Sequence, residues 1–235
     1  MTAKQDTKSA PAAPKLSKGA VVEAALALGD AVGLEALTIR RLATDLGVTP
    51  MALYWHFRSK EELLAALGDR VWAEIDSEAD PAASWPAQVR GLLESLVQML
   101  RAHPCASQLL LSGEKLHSEA ALRVAETALA ALARGGFEPA QASEVTSRAM
   151  WTALTLVMSE PGYDPALSPA ERAEQQRQAG IRLAMLPPDQ FPHLVAAAGP
   201  MTSCDPEFHY QFGIDLLMAG IEALAPRQDT GGSPD

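Results

Sequence analysis

The side chains best placed to do chemistry fall in one short stretch, Leu37 to Leu64. Thr38, Thr49 and Ser59 are hydroxyls at helix-capping positions, and Arg40, Arg58 and Lys60 are cations beside them. Met51, Tyr54, Trp55 and His56 crowd bulky groups onto the stretch Met51–Phe57. The chemistry this suggests is non-covalent. Cations and helix N-terminal N–H groups bind phosphates, and apolar or aromatic side chains lie against flat base edges and methyl groups. Covalent chemistry has no comparable support. The chain has no GxxxxGK[ST], GxGxxG, HExxH or GxSxG motif. Glu114 with His117, and Asp164 with Glu171 and Glu174, lack partner groups and read as solvated faces. An enzyme is therefore not expected. Cys105 and Cys204 form neither a CxxC pair nor a metal-ligand spacing, which points to no metal, no cofactor, no disulfide framework and a reducing, cytoplasmic setting.

The elements that must hold these residues are helices. Alanine occurs 43 times, strong helix formers fill much of the rest, and no period-2 alternation or hairpin turn stands out. The fold class is all-α. With 235 residues, the chain can bury a sizeable core, and no apolar run reaches the roughly 18 residues of a membrane span. Its net charge of −10 is uneven. Residues 1–60 carry eight basic and five acidic side chains, a net +3, and the remainder carries eleven against twenty-four, a net −13. A mildly basic head on an acidic body suggests two tasks in one chain.

Capping signals divide the head. Ser17 opens a helix to about Val32, closed by Gly33; Thr38 opens Ile39–Leu46, closed by Gly47. Thr49 with Pro50 in the first turn opens Met51 to about Phe57, and Ser59 opens a helix to about Asp76 with Glu61 and Glu62 in its first turn. Ile39, Leu42, Ala43 and Leu46 make one buried stripe, with Val48 and Leu53 closing the core beneath the next helix. Two short helices joined by a glycine turn form a helix-turn-helix, which presents its second helix to a DNA major groove. The domain reading is a disordered basic arm over 1–16, this DNA-binding domain over 17–64, a larger helical domain over 65–225 and a disordered tail over 226–235. Lys4, Lys8 and Lys15 on the arm are placed to add backbone or minor-groove contacts.

The stretch from about Leu16 to Val71, and above all Leu53-Tyr54-Trp55-His56-Phe57-x-x-Lys60-x-x-Leu63-Leu64, resembles the DNA-binding domain of the TetR family of bacterial transcriptional regulators. The Tyr-Trp-His version is most similar to the tetracycline-repressor branch. Trp85 to Gly136, Phe191-Pro192 and Phe208 to Leu224 resemble that branch's C-terminal domain. The resemblance implies a repressor that binds a palindromic double-stranded operator as a homodimer and is released by a small-molecule effector. It places Thr38, Arg40, Tyr54, His56 and Lys60 at phosphate or backbone contacts. Thr49, Pro50, Met51, Ala52 and Trp55 take base-facing or groove-lining positions. Pro50 and Met51 stand where the branch carries a Gln-Pro pair, and Ala52 where it carries Thr. Without the Gln, a bidentate adenine reader is missing, so the operator should offer thymine methyls instead.

In the body, helices are expected over 85–102, 105–112, 118–134, 139–159, 170–185 and from about Asp205 to Leu224, with a break from Pro161 to Pro169 and a proline-rich stretch holding Pro187, Pro188, Pro192 and Pro200. The helix 139–159 is apolar on most of its circumference, and Phe208, Phe212 and Ile221 follow helical spacing on the last one. By themselves these fit either a monomer core or a two-fold four-helix bundle; the resemblance favours the dimer. Met99, His103, Gln108, Leu110, Trp151, Thr155 and Met158 are the candidate walls of a largely apolar ligand pocket. Leu110 stands near a metal-ligating His of the branch, so neither magnesium nor tetracycline is implied. A helical ligand-binding protein or enzyme without DNA regulation, and a TetR-like activator, remain the alternatives.

Overall fold

The computed structural model describes residues 16–78, 80, 82–111, 118–160, 167–203 and 205–226. Eleven helices and no strand occur among the described residues. They are α1 (Lys18–Val32), α2 (Ile39–Asp45), α3 (Pro50–Tyr54), α4 (Lys60–Trp72), α5 (Trp85–Ala102), α6 (Pro104–Leu111), α7 (Glu119–Arg134), α8 (Pro139–Met158), α9 (Pro169–Ala184), α10 (Pro192–Thr202) and α11 (Pro206–Leu224). The expected basic arm before Leu16, the tail after Pro226, and Glu114, His117, Asp164 and Cys204 lie outside the described residues. Two compact units meet between Leu67 and Gly68, within α4. No described helix is long and apolar enough to cross a membrane.

The first unit is built on caps. The Ser17 hydroxyl accepts the Ala20 N–H at 3.2 Å, and Thr38 and Thr49 accept from Arg41 and Ala52 at 3.2 and 3.3 Å. Each bond satisfies one of the N–H groups that a helix start leaves without a partner. Gly47 takes φ 65°, which an L side chain resists, and the Val48 N–H then reaches back to the Ala43 carbonyl at 2.9 Å. Leu37, Leu42, Leu53, Phe57, Leu63 and Leu67 are essentially fully buried. Ile39, Leu46 and Val48, expected in the same core, are half-buried.

Two helices are shorter than the sequence suggests. α3 ends at Tyr54 rather than Phe57, because the His56 and Phe57 N–H groups both turn in to the Leu53 carbonyl at 2.9 Å. α4 ends at Trp72 rather than Asp76, because the Glu74 and Ile75 N–H groups bond three residues back and tighten the last turn.

In the second unit α5, α7 and α8 pack on one another, and α11 lies on α5 and α8. α11 passes close to α8 at Gly213, where a Cβ would overlap the Leu156 side chain. The proline-rich stretch, where no helix is expected from the sequence, contains α10. Pro192 sits in its first turn, where no N–H is needed, whereas Pro200 lies inside the helix and gives up one i→i−4 bond two residues before its end. α9 pairs with α10 and buries none of its own residues.

Gly47→Ala should destabilise the protein by about 1 to 2 kcal/mol, because it forces a Cβ into the left-handed region. Gly68→Ala lies in a helix with open space around it and should stabilise by about 0.5 to 1 kcal/mol. Urea-denaturation midpoints of the two variants, compared with the parent, check both signs.

Candidate nucleic-acid interface and ligand cavity

A five-residue helix fixes the first site. α3 has one fully buried side chain, Leu53, and the turn after it buries Phe57. These two anchors point the rest of the segment outward. Met51 is 66% exposed and Trp55 is 84% exposed, with Tyr54 beside them also exposed. Thr49 and Pro50 are exposed as well, while Ala52 and His56 are half-buried. Met51, Tyr54 and Trp55 thus expose three large side chains within five residues, an apolar patch rather than one scattered residue.

The polar rim is less uniform. Thr38 and Arg40 are exposed at the start of α2, and Thr38 spends its oxygen on the cap already described. Lys60 is half-buried and donates one hydrogen bond to the Leu34 carbonyl at 3.0 Å, which ties the start of α4 to the end of the α1 region. The N-terminus of α4, expected to offer N–H groups to phosphate, is already occupied. The Ser59 hydroxyl accepts the Glu62 N–H at 3.2 Å, and the Glu62 carboxylate accepts the Arg58 N–H at 2.8 Å. Glu61's own backbone N–H, followed by the Ser59 hydroxyl, holds its carboxyl below the usual carboxylate range. Arg40 and Arg41 of α2 are both exposed.

The second site is a cavity of about 300 Å³ inside the second unit. Val89, Leu93 and Leu96 of α5 form one wall, the alanine-rich face of α7 a second, and α8 a third. Trp72, the last residue of α4, closes one side. Among the described residues no Asp, Glu, Lys, Arg or His lines it.

None of the seven ligand candidates read from the sequence is on this wall. Met99 and Leu110 are buried elsewhere in the core. His103 is half-buried, with Nε2 3.0 Å from the Glu74 carboxylate, which also accepts from Arg70 at 2.6 Å. Gln108, Trp151, Thr155 and Met158 are exposed, and the Thr155 hydroxyl donates back to the Trp151 carbonyl at 3.0 Å. The signal that does find the cavity is on α7. Ala121, Ala125 and Ala128 line the cavity face opposite bulky leucines of α5, and small residues there leave volume unfilled.

Comparison with known proteins bears on both sites. Residues 21–67 match the family model for bacterial regulatory proteins, tetR family, and residues 78–225 match the tetracyclin repressor-like C-terminal domain. The chain is 30% identical over 217 residues to the class G tetracycline repressor of Vibrio anguillarum, covering 89% of this chain and 95% of that protein. It is 28% identical over 214 residues to the class A tetracycline repressor from transposon 1721 of Escherichia coli, covering 88% and 91%. It is similar to the crystal structure of the Streptomyces coelicolor TetR family protein ActR in complex with actinorhodin, at 27% identity and a TM-score of 0.76, covering 91% of this chain and all of that one.

Two neighbouring substitutions on α3 should separate core from surface. Leu53→Ala should cost about 3 kcal/mol of unfolding free energy, as a fully buried leucine does. Trp55→Ala, only two residues away, should change it by no more than about 0.5 kcal/mol. Chemical denaturation of both variants reads the contrast directly.

Proposed function

Because the chain belongs to the TetR family of bacterial regulatory proteins, we propose that it is a one-component transcriptional repressor of the cytoplasm, with no catalytic activity. As a homodimer it binds a palindromic operator, with one α3 in the major groove of each half-site. A small, largely apolar effector fills the cavity and shifts the population to a form whose two α3 helices no longer match the half-site spacing.

The observation that carries this reading is α4. It begins six residues after the α3 helix ends, with Leu63 and Leu67 buried, and it ends at Trp72, in the wall of the cavity. One continuous helix thus joins the exposed recognition segment to the ligand wall. The names of the relatives support a repressor, and the ActR complex supports a helical body that takes a small organic molecule. On this reading Met51, Ala52 and Trp55 face the bases through apolar contact, and Tyr54, Arg40 and Lys60 meet the backbone. Lys60 keeps donors to spare beyond its bond to Leu34.

The dimer reading rests on the outer faces of α8 and α11. Trp151, Phe208, Phe212 and Leu216 are large and exposed on these helices, Leu216 by 67%. Phe208 and Phe212 stack with ring centroids 5.6 Å apart, making a flat apolar surface. A two-fold contact that uses the same patch twice buries all of it.

A mobility-shift titration on DNA upstream of the protein's own gene, paired with light scattering, tests these assignments. Trp55→Ala should stay dimeric and lose at least about tenfold in DNA affinity. Leu216→Glu should shift the protein to monomer and lose most DNA binding, since two half-sites then no longer act together. Equal DNA binding by Trp55→Ala and the parent would contradict the recognition-helix assignment.

A further inference from the structure

The cavity wall is polar along a single line. Ser143, Thr146 and Ser147 of α8 all line it, and the spacing i, i+3, i+4 sets their three hydroxyls on one face of that helix. Opposite them stand Val89, Leu93 and Leu96 of α5. Among the described residues, the one other strong polar group on a lining side chain is the indole N–H of Trp72. The direction of one hydroxyl is fixed. Thr146 Oγ1 donates its proton to the Ala142 carbonyl at 2.9 Å, so what it offers the cavity is a lone pair.

From this we infer that the effector is an uncharged molecule with an apolar, ring-sized skeleton and a hydroxyl on one edge, and that this hydroxyl donates to Thr146. The inference rests on the ligand-responsive reading above and narrows it to a chemical class. A charged group would leave water for a wall that carries no opposite charge, which is costly. A pure hydrocarbon would cover the hydroxyl line and leave its acceptor without a donor, which is also unfavourable. A ketone or ether edge can accept from Ser143 or Ser147 but presents an acceptor to the Thr146 acceptor. An alcohol or phenol satisfies Thr146 as donor and can accept from Ser143 or Ser147 in return.

Calorimetric titration of the full-length protein at neutral pH with naphthalene, methoxynaphthalene, naphthol and naphthoate tests the class. Naphthol should bind about fivefold or more tightly than methoxynaphthalene, which has the same skeleton and no hydroxyl proton. Naphthoate, charged at this pH, should bind more weakly than all three neutral probes. Thr146→Val should bring naphthol and methoxynaphthalene within about twofold of each other while leaving methoxynaphthalene unchanged, and Thr146→Ser should keep the parent ratio. Equal binding of naphthol and methoxynaphthalene by the parent, or tightest binding of naphthoate, would overturn the hydroxyl assignment while leaving the cavity as a ligand site. The full naphthol preference surviving in Thr146→Val would overturn it too. Binding of none of the four would overturn this inference together with the ligand-responsive reading.

Discussion

A helix of five residues cannot stand alone in water, because the cost of nucleating a helix is recovered only over several turns. α3 exists because Leu53 and Phe57 are buried to completion on one side of it. Much of the first unit serves that burial. Gly47 turns the chain sharply enough to bring Leu53 over the α2 stripe, and Thr49 and Pro50 start the helix without leaving N–H groups stranded. Lys60 then ties the exit of the segment back to Leu34. With two anchors fixed, Met51, Tyr54 and Trp55 have no place but the surface. The exposed face of α3 is thus a consequence of how a very short helix must be held.

The body solves a different problem. It must be stable while keeping a volume of about 300 Å³ unfilled. Alanines on α7 keep that wall back from the leucines of α5, and the rest of the second unit packs conventionally, down to the contact of α11 with α8 at Gly213. An unfilled apolar space costs stability, and a ligand that fills it returns that stability to whichever conformation holds it best. Trp72 makes the exchange consequential, because the helix it ends is also the one that follows α3.

The head was legible in the sequence because its signals are local. Caps at Ser17, Thr38 and Thr49, stops at Gly33 and Gly47, and a stripe at Leu42 and Ala43 each act within one turn, and each appears in the structure. What failed locally were helix ends set by competing three-residue bonds, at Tyr54 and Trp72. The proline-rich stretch hid α10, although Pro192 needs no N–H in the first turn and Pro200 gives up a single bond. The cavity was not legible, because a void is made by side chains that are absent. Large or polar residues such as Met99, His103 and Leu110 are taken up in the core or by a hydrogen bond to Glu74, while the wall is mostly alanine, leucine and valine with a line of hydroxyls. At the α4 N-terminus the local sequence supplies its own acceptors, since the Ser59 hydroxyl takes the Glu62 N–H and the Glu62 carboxylate takes the Arg58 N–H.

The central claim is that the cavity and the recognition face are two ends of one equilibrium, and linkage makes that measurable from the ligand side alone. If an apolar ligand weakens operator binding by some factor, saturating operator must weaken ligand binding by the same factor. Titrating naphthol into the protein with and without saturating operator DNA measures this directly. The account predicts a ligand dissociation constant at least about fivefold higher on DNA, within the usual range of such couplings. An identical constant in both titrations would contradict it.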